Sequence, residues 1–308
     1  MESQYTDEFL LRNWEGFTNH MIEVNGTKLH YVEGGKGAPL ICLPGWPQTF
    51  YSFNNIAPEL ARHFRVIVVD LRGMGTSETP VSGYDKKTMA KDIYELIQAL
   101  GIQKTFVLGH DIGGMAAMSL AYNFPEVVSR LMIADGLHPN EGMLQMPMIP
   151  PAGTFEDKIN VNQPYTWWMG FNQIKHLPEK LLEGRYYHLL DWLFHYVMID
   201  ESKITEFEKQ VYAHAYNDPE RIRASNAWYQ SFYQDIEDSK DYAKLKMPVL
   251  GIASNVSYGF YQYAMPQQAE NYEIVHLADT GHYMFEENPN EIIRVIREFL
   301  SSDNSGGR

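Results

Sequence analysis

The sequence is short of cysteine, of basic residues and of long apolar runs. Cys42 is the only cysteine among 308 residues, which excludes a disulfide bond within the chain and a structural zinc cluster of several thiolates. The 25 Lys and Arg against 39 Asp and Glu give a net charge of −14, and an acidic surface repels the phosphate backbone of nucleic acids. The chain also lacks the run of about 18 apolar residues that a membrane span requires.

The N-terminal segment lacks the features of a secretory signal. It is acidic where a signal peptide is basic, and no apolar stretch follows it. We therefore expect a cytoplasmic protein that has no nucleic-acid partner and no membrane span.

The first half of the chain alternates short apolar runs with helical patterns. Runs typical of buried strands lie at 30–32, 39–43, 66–70, 105–108 and 130–134. Between them, residues 89–100 carry apolar side chains at the spacing of a helix. Strands that alternate with helices predict a parallel sheet covered on both faces.

The middle of the chain changes character. Residues 138–242 contain almost no β-branched run and carry aromatic residues and Met at helical spacings instead. Strand patterns resume at 248–252 and 272–277, and a last amphipathic helix begins at Asn288-Pro289. We predict a core made of residues 1–138 and 243–308, with a helical insertion at 139–242.

The sharpest motif is Gly109-His110-Asp111-Ile112-Gly113-Gly114, between a predicted strand and a predicted helix. Its small residues fit the tight turn of a nucleophile elbow, which exposes residue 111. An aspartate at that position needs no base to activate it, and it can attack carbon and leave an ester. Such turns also occur for purely structural reasons, and the motif alone leaves that alternative open.

The loop Leu43-Pro44-Gly45-Trp46-Pro47 follows another predicted strand. Together with the N–H of Ile112 in the elbow, the N–H of Trp46 would form an oxyanion hole. A Pro-Gly turn that carries a packed Trp explains the same residues equally well.

His282 follows the last predicted strand, in Ala278-Asp279-Thr280-Gly281-His282, where it can serve as a general base for water. Residues 251–256, where many elbow hydrolases carry the acid that orients the histidine, contain no carboxylate. We assign this role to Asp135, at the end of the strand after the elbow. Asp279 is the competitor, but it is so close to His282 in sequence that capping of the loop is the better explanation.

With these residues, the chain resembles the α/β-hydrolase superfamily from Trp14 to Leu300. Within it, the chain is similar to the Asp-nucleophile branch, which contains epoxide hydrolases and dehalogenases of fluoroacetate and haloalkanes. The order of nucleophile, acid and histidine, with the acid 24 residues after the nucleophile, is similar to that of bacterial epoxide hydrolases and fluoroacetate dehalogenases. The resemblance implies an α/β fold with a mostly parallel eight-stranded sheet flanked by helices. It also implies a helical cap after the strand that ends at Asp135, and no metal or cofactor.

In similar epoxide hydrolases, two donors in the cap, usually two Tyr or a His and a Tyr, bind the epoxide oxygen. The resemblance places the first donor at Trp168, with Trp167 before it, and the second at Tyr229. An indole N–H is a donor that keeps its proton at neutral pH, so Tyr229 would supply the proton. Aromatic residues at helical spacing are more often core, so a packing role stays open for all three.

The chain departs from the family at several positions. The oxyanion loop normally begins with His-Gly, whereas here it begins with Pro44-Gly45. Fluoroacetate dehalogenases carry Arg soon after the nucleophile, and here Ile112 and Met115 stand there, which disfavours a small anionic substrate. Haloalkane dehalogenases have Trp directly after the nucleophile, which Ile112 is not, although Trp residues of the cap could bind a halide.

The sequence therefore predicts an epoxide hydrolase that converts an uncharged, hydrophobic epoxide into a vicinal diol through an ester on Asp111. Its expected partners are a small-molecule substrate and water, and a homodimer is left open. One alternative is a dehalogenase that uses the same nucleophile. The other is a ligand-binding protein without activity, which the presence of Asp111, Asp135 and His282 disfavours.

Overall fold

A computed structural model describes residues 2–301 of the chain, and one eight-stranded sheet runs through it. The strands are β1 (Thr18–Val24), β2 (Thr27–Gly34), β3 (Pro39–Leu43), β4 (Arg65–Val69), β5 (Thr105–His110), β6 (Val128–Ala134), β7 (Val249–Ser254) and β8 (Tyr272–Leu277). Their order across the sheet is β1-β2-β4-β3-β5-β6-β7-β8. β2 pairs antiparallel with both β1 and β4. All the other pairings, from β4 across the sheet to β8, are parallel.

This topology confirms the predicted mostly parallel sheet. The predicted runs at 39–43 and 272–277 coincide with β3 and β8, and the other predicted strands lie within a few residues of β2, β4, β5, β6 and β7. β3, β4 and β7 are buried along almost their whole length, as continuous Val, Ile and Leu runs in a parallel sheet should be. β1 was not predicted, because it is an edge strand whose side chains are mostly exposed or half-buried and show no apolar run.

Helices cover the sheet. Outside the segment between β6 and β7 they are α1 (Asp7–Leu11), α2 (Ala57–Leu60), α3 (Lys86–Ala99), α4 (Ile112–Asn123), α11 (Tyr258–Gln268), α12 (Met284–Glu287) and α13 (Pro289–Ser301). The carboxylate of Asp85 caps α3 by accepting from the N–H of Thr88 at 2.8 Å. α4 is buried on nearly all sides, and its Gly- and Ala-rich sequence allows this close packing.

The segment between β6 and β7 carries six α-helices. They are α5 (Trp168–Phe171), α6 (Leu177–Leu182), α7 (Tyr186–Val197), α8 (Glu206–Tyr216), α9 (Pro219–Gln230) and α10 (Phe232–Ser239). An isolated bridge between Phe155 and Ile159 is the only β pairing that the structure describes between residues 139 and 242. We call residues 139–242 the helical insertion. Its helical content agrees with the sequence pattern, and its status as a separate domain stays a prediction.

A buried ion pair ties the helical insertion to the core. The Lys86 ammonium lies 3.1 Å from the carboxylate of Asp235 in α10, and both side chains are fully buried. The same ammonium donates to the main-chain carbonyl of Trp228 in α9 at 2.8 Å. The hydroxyl of Tyr216 in α8 donates to the carbonyl of Gln48 at 2.8 Å, so the insertion also rests on the loop after β3.

The described part of the chain, residues 2–301, contains no helix with both the length and the apolar character that crossing a membrane demands.

Candidate active site

Four predicted site residues meet at one edge of the sheet. Trp46, Asp111 and Asp135 follow the carboxyl ends of β3, β5 and β6, and His282 follows β8. Because parallel strands end at the same edge, loops that are far apart in sequence converge there. All four residues line a single cavity beneath the helical insertion.

Asp111 sits on a strained turn between β5 and α4. Its φ of +50° and ψ of −121° are rare for a residue with a side chain, and such strain is typical of functional positions. The turn brings α4 so close to the loop after β3 that a Cβ on Gly113 would lie 2.2 Å from the carbonyl oxygen of Leu43. The elbow predicted from the small residues is therefore present as geometry, and the Asp111 side chain, 15% exposed, faces the cavity.

The two carboxylate oxygens of Asp111 have different surroundings. Oδ1 accepts from the N–H of Trp46 at 2.9 Å, and the N–H of Ile112 is near enough to lower the pKa of this carboxylate. Oδ2 lies 3.7 Å from Nε2 of His282. Burial raises the pKa of Asp111, and His282 with the two N–H donors opposes that rise. One oxygen thus accepts from the N–H of Trp46, and the other faces the histidine.

His282 is oriented by Asp135. Its Nδ1 lies 3.3 Å from Oδ2 of Asp135, while Oδ1 of Asp135 accepts from the N–H of Ser254 at 2.9 Å and from the hydroxyl of Ser257. Burial would raise the pKa of Asp135, but the hydrogen bonds from His282 and Ser254 outweigh it and hold that pKa below its ordinary value. An ionised Asp135 fixes the proton of the imidazole on Nδ1 and leaves Nε2 free to act as a base.

Burial would lower the pKa of His282, but the hydrogen bond to Asp135 and the charge of Asp111 raise it. The neighbouring His110 behaves in the opposite way, because burial lowers the pKa of His110 to about 3. Its ring points into the core, and Nε2 lies 2.9 Å from the carbonyl oxygen of His282. Since a carbonyl only accepts, this nitrogen carries the proton of the neutral ring and helps to hold the His282 loop.

Asp279 is exposed and forms no hydrogen bond with His282 in the described structure. The histidine therefore has Asp135, and not its neighbour in sequence, as its carboxylate partner.

The cavity has a volume of about 450 Å³ and a largely apolar wall. The helical insertion contributes apolar side chains to it, namely Met143, Met146, Ile159, Pro164, Trp168, Met169, Leu193 and Val197. Among the described lining residues there is no Lys and no Arg, and Met115 occupies part of the wall near Asp111. Such a lining suits an uncharged, hydrophobic ligand.

The three aromatic residues predicted as donors differ in their positions. Trp168 lines the cavity. Trp167 lies outside the lining residues and packs edge-on against Trp192, with ring centroids 5.4 Å apart. Tyr229 lies behind the wall, edge-on to Trp46 at 5.4 Å, and Asp111 is the strongest charged influence on its hydroxyl. Of the three, only Trp168 lines the cavity with Asp111, while Tyr229 packs on Trp46, whose N–H donates to Asp111, and Trp167 packs on Trp192.

Sequence reasoning missed two residues of the site. Ser257 supports Asp135, and Tyr283, directly after His282, lines the cavity. Tyr283 follows a predicted catalytic residue in a loop without periodicity, so its place in the chain was the only available signal.

Comparison with known proteins gives consistent relatives. Residues 38–289 match the family model of the alpha/beta hydrolase fold. The chain is 33% identical over 292 residues to a soluble epoxide hydrolase of Corynebacterium sp. (strain C12), covering 92% of this chain and 97% of that protein. It is 27% identical over 312 residues to a fluoroacetate dehalogenase of Burkholderia sp., covering 95% and 97%. The solved structure of the epoxide hydrolase CorEH without ligand superposes with a TM-score of 0.79 at 31% identity, covering 92% and 99%.

Proposed function

This chain belongs to the α/β-hydrolase fold family and is a hydrolase similar to epoxide hydrolases, and we propose that it converts an uncharged, hydrophobic epoxide into a vicinal diol. The observation that carries the proposal is the split environment of the Asp111 carboxylate inside an apolar cavity. Oδ1 accepts a hydrogen bond from the N–H of Trp46, and Oδ2 faces the cavity beside His282.

In the first half-reaction, Oδ2 of Asp111 attacks an epoxide carbon in line with the bond that breaks. An ester forms on Asp111, the carbon–oxygen bond of the ring breaks, and the released oxygen takes up a proton. Trp168 and Tyr229, with Trp167 as the predicted alternative to Trp168, stabilise that oxygen. Trp168 is favoured over Trp167 because only Trp168 lines the cavity.

In the second half-reaction, Nε2 of His282 takes a proton from water, and the resulting hydroxide attacks the ester carbonyl. The carbonyl oxygen is the former Oδ1, which accepts from the N–H of Trp46 before the reaction, and the N–H of Ile112 is the second donor in this proposal. These donors hold the oxyanion of the tetrahedral intermediate, and one such donor is worth about 3 kcal/mol in similar sites. Asp135 holds the imidazolium that forms. When the intermediate collapses, the ester carbon–oxygen bond breaks, and the departing oxygen takes the proton of the added hydroxyl group, which releases the diol and leaves Asp111 as a carboxylate.

The helical insertion acts as a cap in this proposal. It supplies the apolar part of the cavity wall and excludes bulk water from the ester. The division into a core of residues 1–138 and 243–308 and a cap of residues 139–242 is part of the proposal.

Dehalogenation through the same ester is the second candidate. The similarity to a fluoroacetate dehalogenase and the indole of Trp168 in the cavity wall favour it. The absence of a cation among the described lining residues weighs against a carboxylate-bearing substrate such as fluoroacetate. Epoxide hydrolysis is therefore the function that the geometry supports best.

The test uses the His282→Gln variant, which should form the ester but hydrolyse it slowly. The variant is mixed with a panel of aliphatic and aromatic epoxides, with fluoroacetate and with 1-bromoalkanes, and its intact mass is measured. An epoxide should add its full mass to the peptide that contains Asp111, and the wild type should release a diol from the same epoxide. The Asp111→Asn variant is the control and should form no adduct. Adducts from halogenated substrates alone would instead establish the dehalogenase.

A further inference from the structure

The first half-reaction proposed above needs a proton, and the cavity contains few groups that can give one. Trp168 and Trp46 carry indole N–H groups, which donate hydrogen bonds but keep their protons at neutral pH. Of the hydroxyl groups in the wall, that of Thr166 is an alcohol and a far weaker acid than a phenol, and that of Tyr263 belongs to a residue that is 72% exposed to solvent. The hydroxyl of Ser257 donates to Asp135. The hydroxyl of Tyr261 accepts from the N–H of Gly136 at 2.9 Å and lies 3.3 Å from a main-chain carbonyl, so it too is engaged.

Tyr283 is different from these groups. It lines the cavity together with Asp111 and His282, and only 2% of its surface is exposed. Its hydroxyl forms no hydrogen bond to any residue of the described chain. Some described side-chain oxygens lack a partner and are also fully inaccessible to solvent, but the Tyr283 hydroxyl is not one of them. A phenol that is held in a cavity wall and has no protein partner is available to a bound ligand.

The position of the Tyr283 ring is fixed from both sides. Phe194 of the helical insertion packs on it with ring centroids 4.5 Å apart. From the core, the rings of His282 and His110 lie 5.1 Å and 6.2 Å away. The ring is therefore held between core and insertion, above the same edge of the sheet as Asp111.

Electrostatics connect the phenol to the reacting group. Burial is the largest cause that raises the pKa of Tyr283, and the negative charge of Asp111 is the second largest. Tyr229 shows the same order of causes, and Tyr283 is the next influence on its pKa. The geometry agrees, because Tyr283 lines the same cavity as Asp111, and Tyr229 of the insertion packs edge-on against Trp46, whose N–H donates to Asp111.

We propose that Tyr283 is a catalytic residue that donates the proton to the epoxide oxygen, with Tyr229 as its hydrogen-bonding partner at that oxygen. The inference rests on the proposed function. When Asp111 attacks carbon, the ring carbon–oxygen bond breaks, and the oxygen takes the phenolic proton of Tyr283, which leaves a tyrosinate. In the second half-reaction His282 gains a proton from water. When the tetrahedral intermediate collapses, the departing oxygen takes the proton of the hydroxyl group that came from hydroxide, so Asp111 is left as a carboxylate. The imidazolium then returns its proton to the tyrosinate, whose ring is its neighbour, so that the net reaction is epoxide plus water to diol.

The test isolates the first half-reaction. In the His282→Gln background, the growth of the adduct of styrene oxide on Asp111 is followed by rapid quenching and intact mass. Adding Tyr283→Phe should slow adduct formation by about 10- to 100-fold, because general acid catalysis is lost while Tyr229 remains. Adding Tyr233→Phe, which removes the hydroxyl of an exposed tyrosine, should leave the rate unchanged.

A second measurement separates chemistry from misfolding. In the wild-type background, Tyr283→Phe should slow ester formation but leave ester hydrolysis near its normal rate, whereas a disturbed fold would slow both. Tyr283→His, which keeps a ring and a proton donor, should restore part of the ester-formation rate. Equal adduct rates with and without Tyr283→Phe would overturn the role of Tyr283 and leave the epoxide hydrolase proposal standing. The absence of an adduct in the His282→Gln parent with every epoxide would overturn both.

Discussion

The ion pair between Lys86 and Asp235 should be a main attachment of the helical insertion to the core. Both side chains are fully buried, and the carboxylate also accepts from the N–H of Lys86 at 2.6 Å. Asp235→Leu leaves the ammonium buried with the carbonyl of Trp228 as its only remaining polar partner in the described structure. Removing one partner of a buried pair in this way costs about 3–5 kcal/mol.

The magnitude can be converted into a change of melting temperature. For 308 residues, the entropy of unfolding is about 0.65 kcal/mol/K, so Asp235→Leu should lower Tm by about 5–8 °C. The double variant Lys86→Met with Asp235→Leu removes both charges and should recover about half of this loss. About 1–3 kcal/mol should remain, because the N–H of Lys86 still lacks its acceptor.

Differential scanning calorimetry of the two single variants, the double variant and the wild type provides the assay. Arg62→Met is the matched control, because it breaks an exposed ion pair with Glu59 and should leave Tm unchanged. An unchanged Tm for Asp235→Leu, or a double variant whose loss equals the sum of the single losses, would refute the reasoning.

Three further predictions concern the site. Gly113→Ala should lower activity by more than about 100-fold in a diol assay. The new Cβ would lie 2.2 Å from a main-chain carbonyl oxygen and would displace the loop that carries an oxyanion donor. Gly170→Ala is the control and should leave activity unchanged, because its Cβ would have no atom within 4 Å. Trp168→Phe should slow adduct formation about 10-fold and Trp167→Phe much less; the reverse order would assign the donor to Trp167. Burial lowers the pKa of His282, but the neighbouring carboxylates raise it above the ordinary value. As the pH falls, turnover should therefore decline at a higher pH than it would with an ordinary imidazole. A flat pH profile down to about pH 5 would contradict the role of His282 as a base.

The positions of the proposed catalytic residues could be predicted from the sequence because each lies in the loop after a strand. Asp111, Asp135 and His282 are distant in the chain, but the carboxyl ends of parallel strands bring them to one edge. The absence of a carboxylate after β7 pointed to Asp135, and the structure has Ser257 there, as a donor to that same carboxylate.

The aromatic residues of the site could not be sorted in the same way. Trp167 and Trp168 are neighbours at the start of a four-residue helix, so a small rotation of that helix decides which indole enters the cavity. Which indole enters the cavity depends on how this helix packs against α7, where Trp192 contacts the ring of Trp167. Tyr283 was missed because its role depends on Phe194, a residue of the insertion that is 89 positions earlier in the chain.

The fate of the water oxygen tests the central claim most directly, since a covalent ester on Asp111 and attack of water on the epoxide leave different labels. Wild-type enzyme in excess over an epoxide is allowed a single turnover in H₂¹⁸O, and both diol and protein are analysed by mass spectrometry. The ester mechanism predicts an unlabelled diol and one ¹⁸O in the peptide that contains Asp111, because water attacks the ester carbonyl. A diol that carries ¹⁸O after the first turnover, with an unlabelled Asp111, would contradict it.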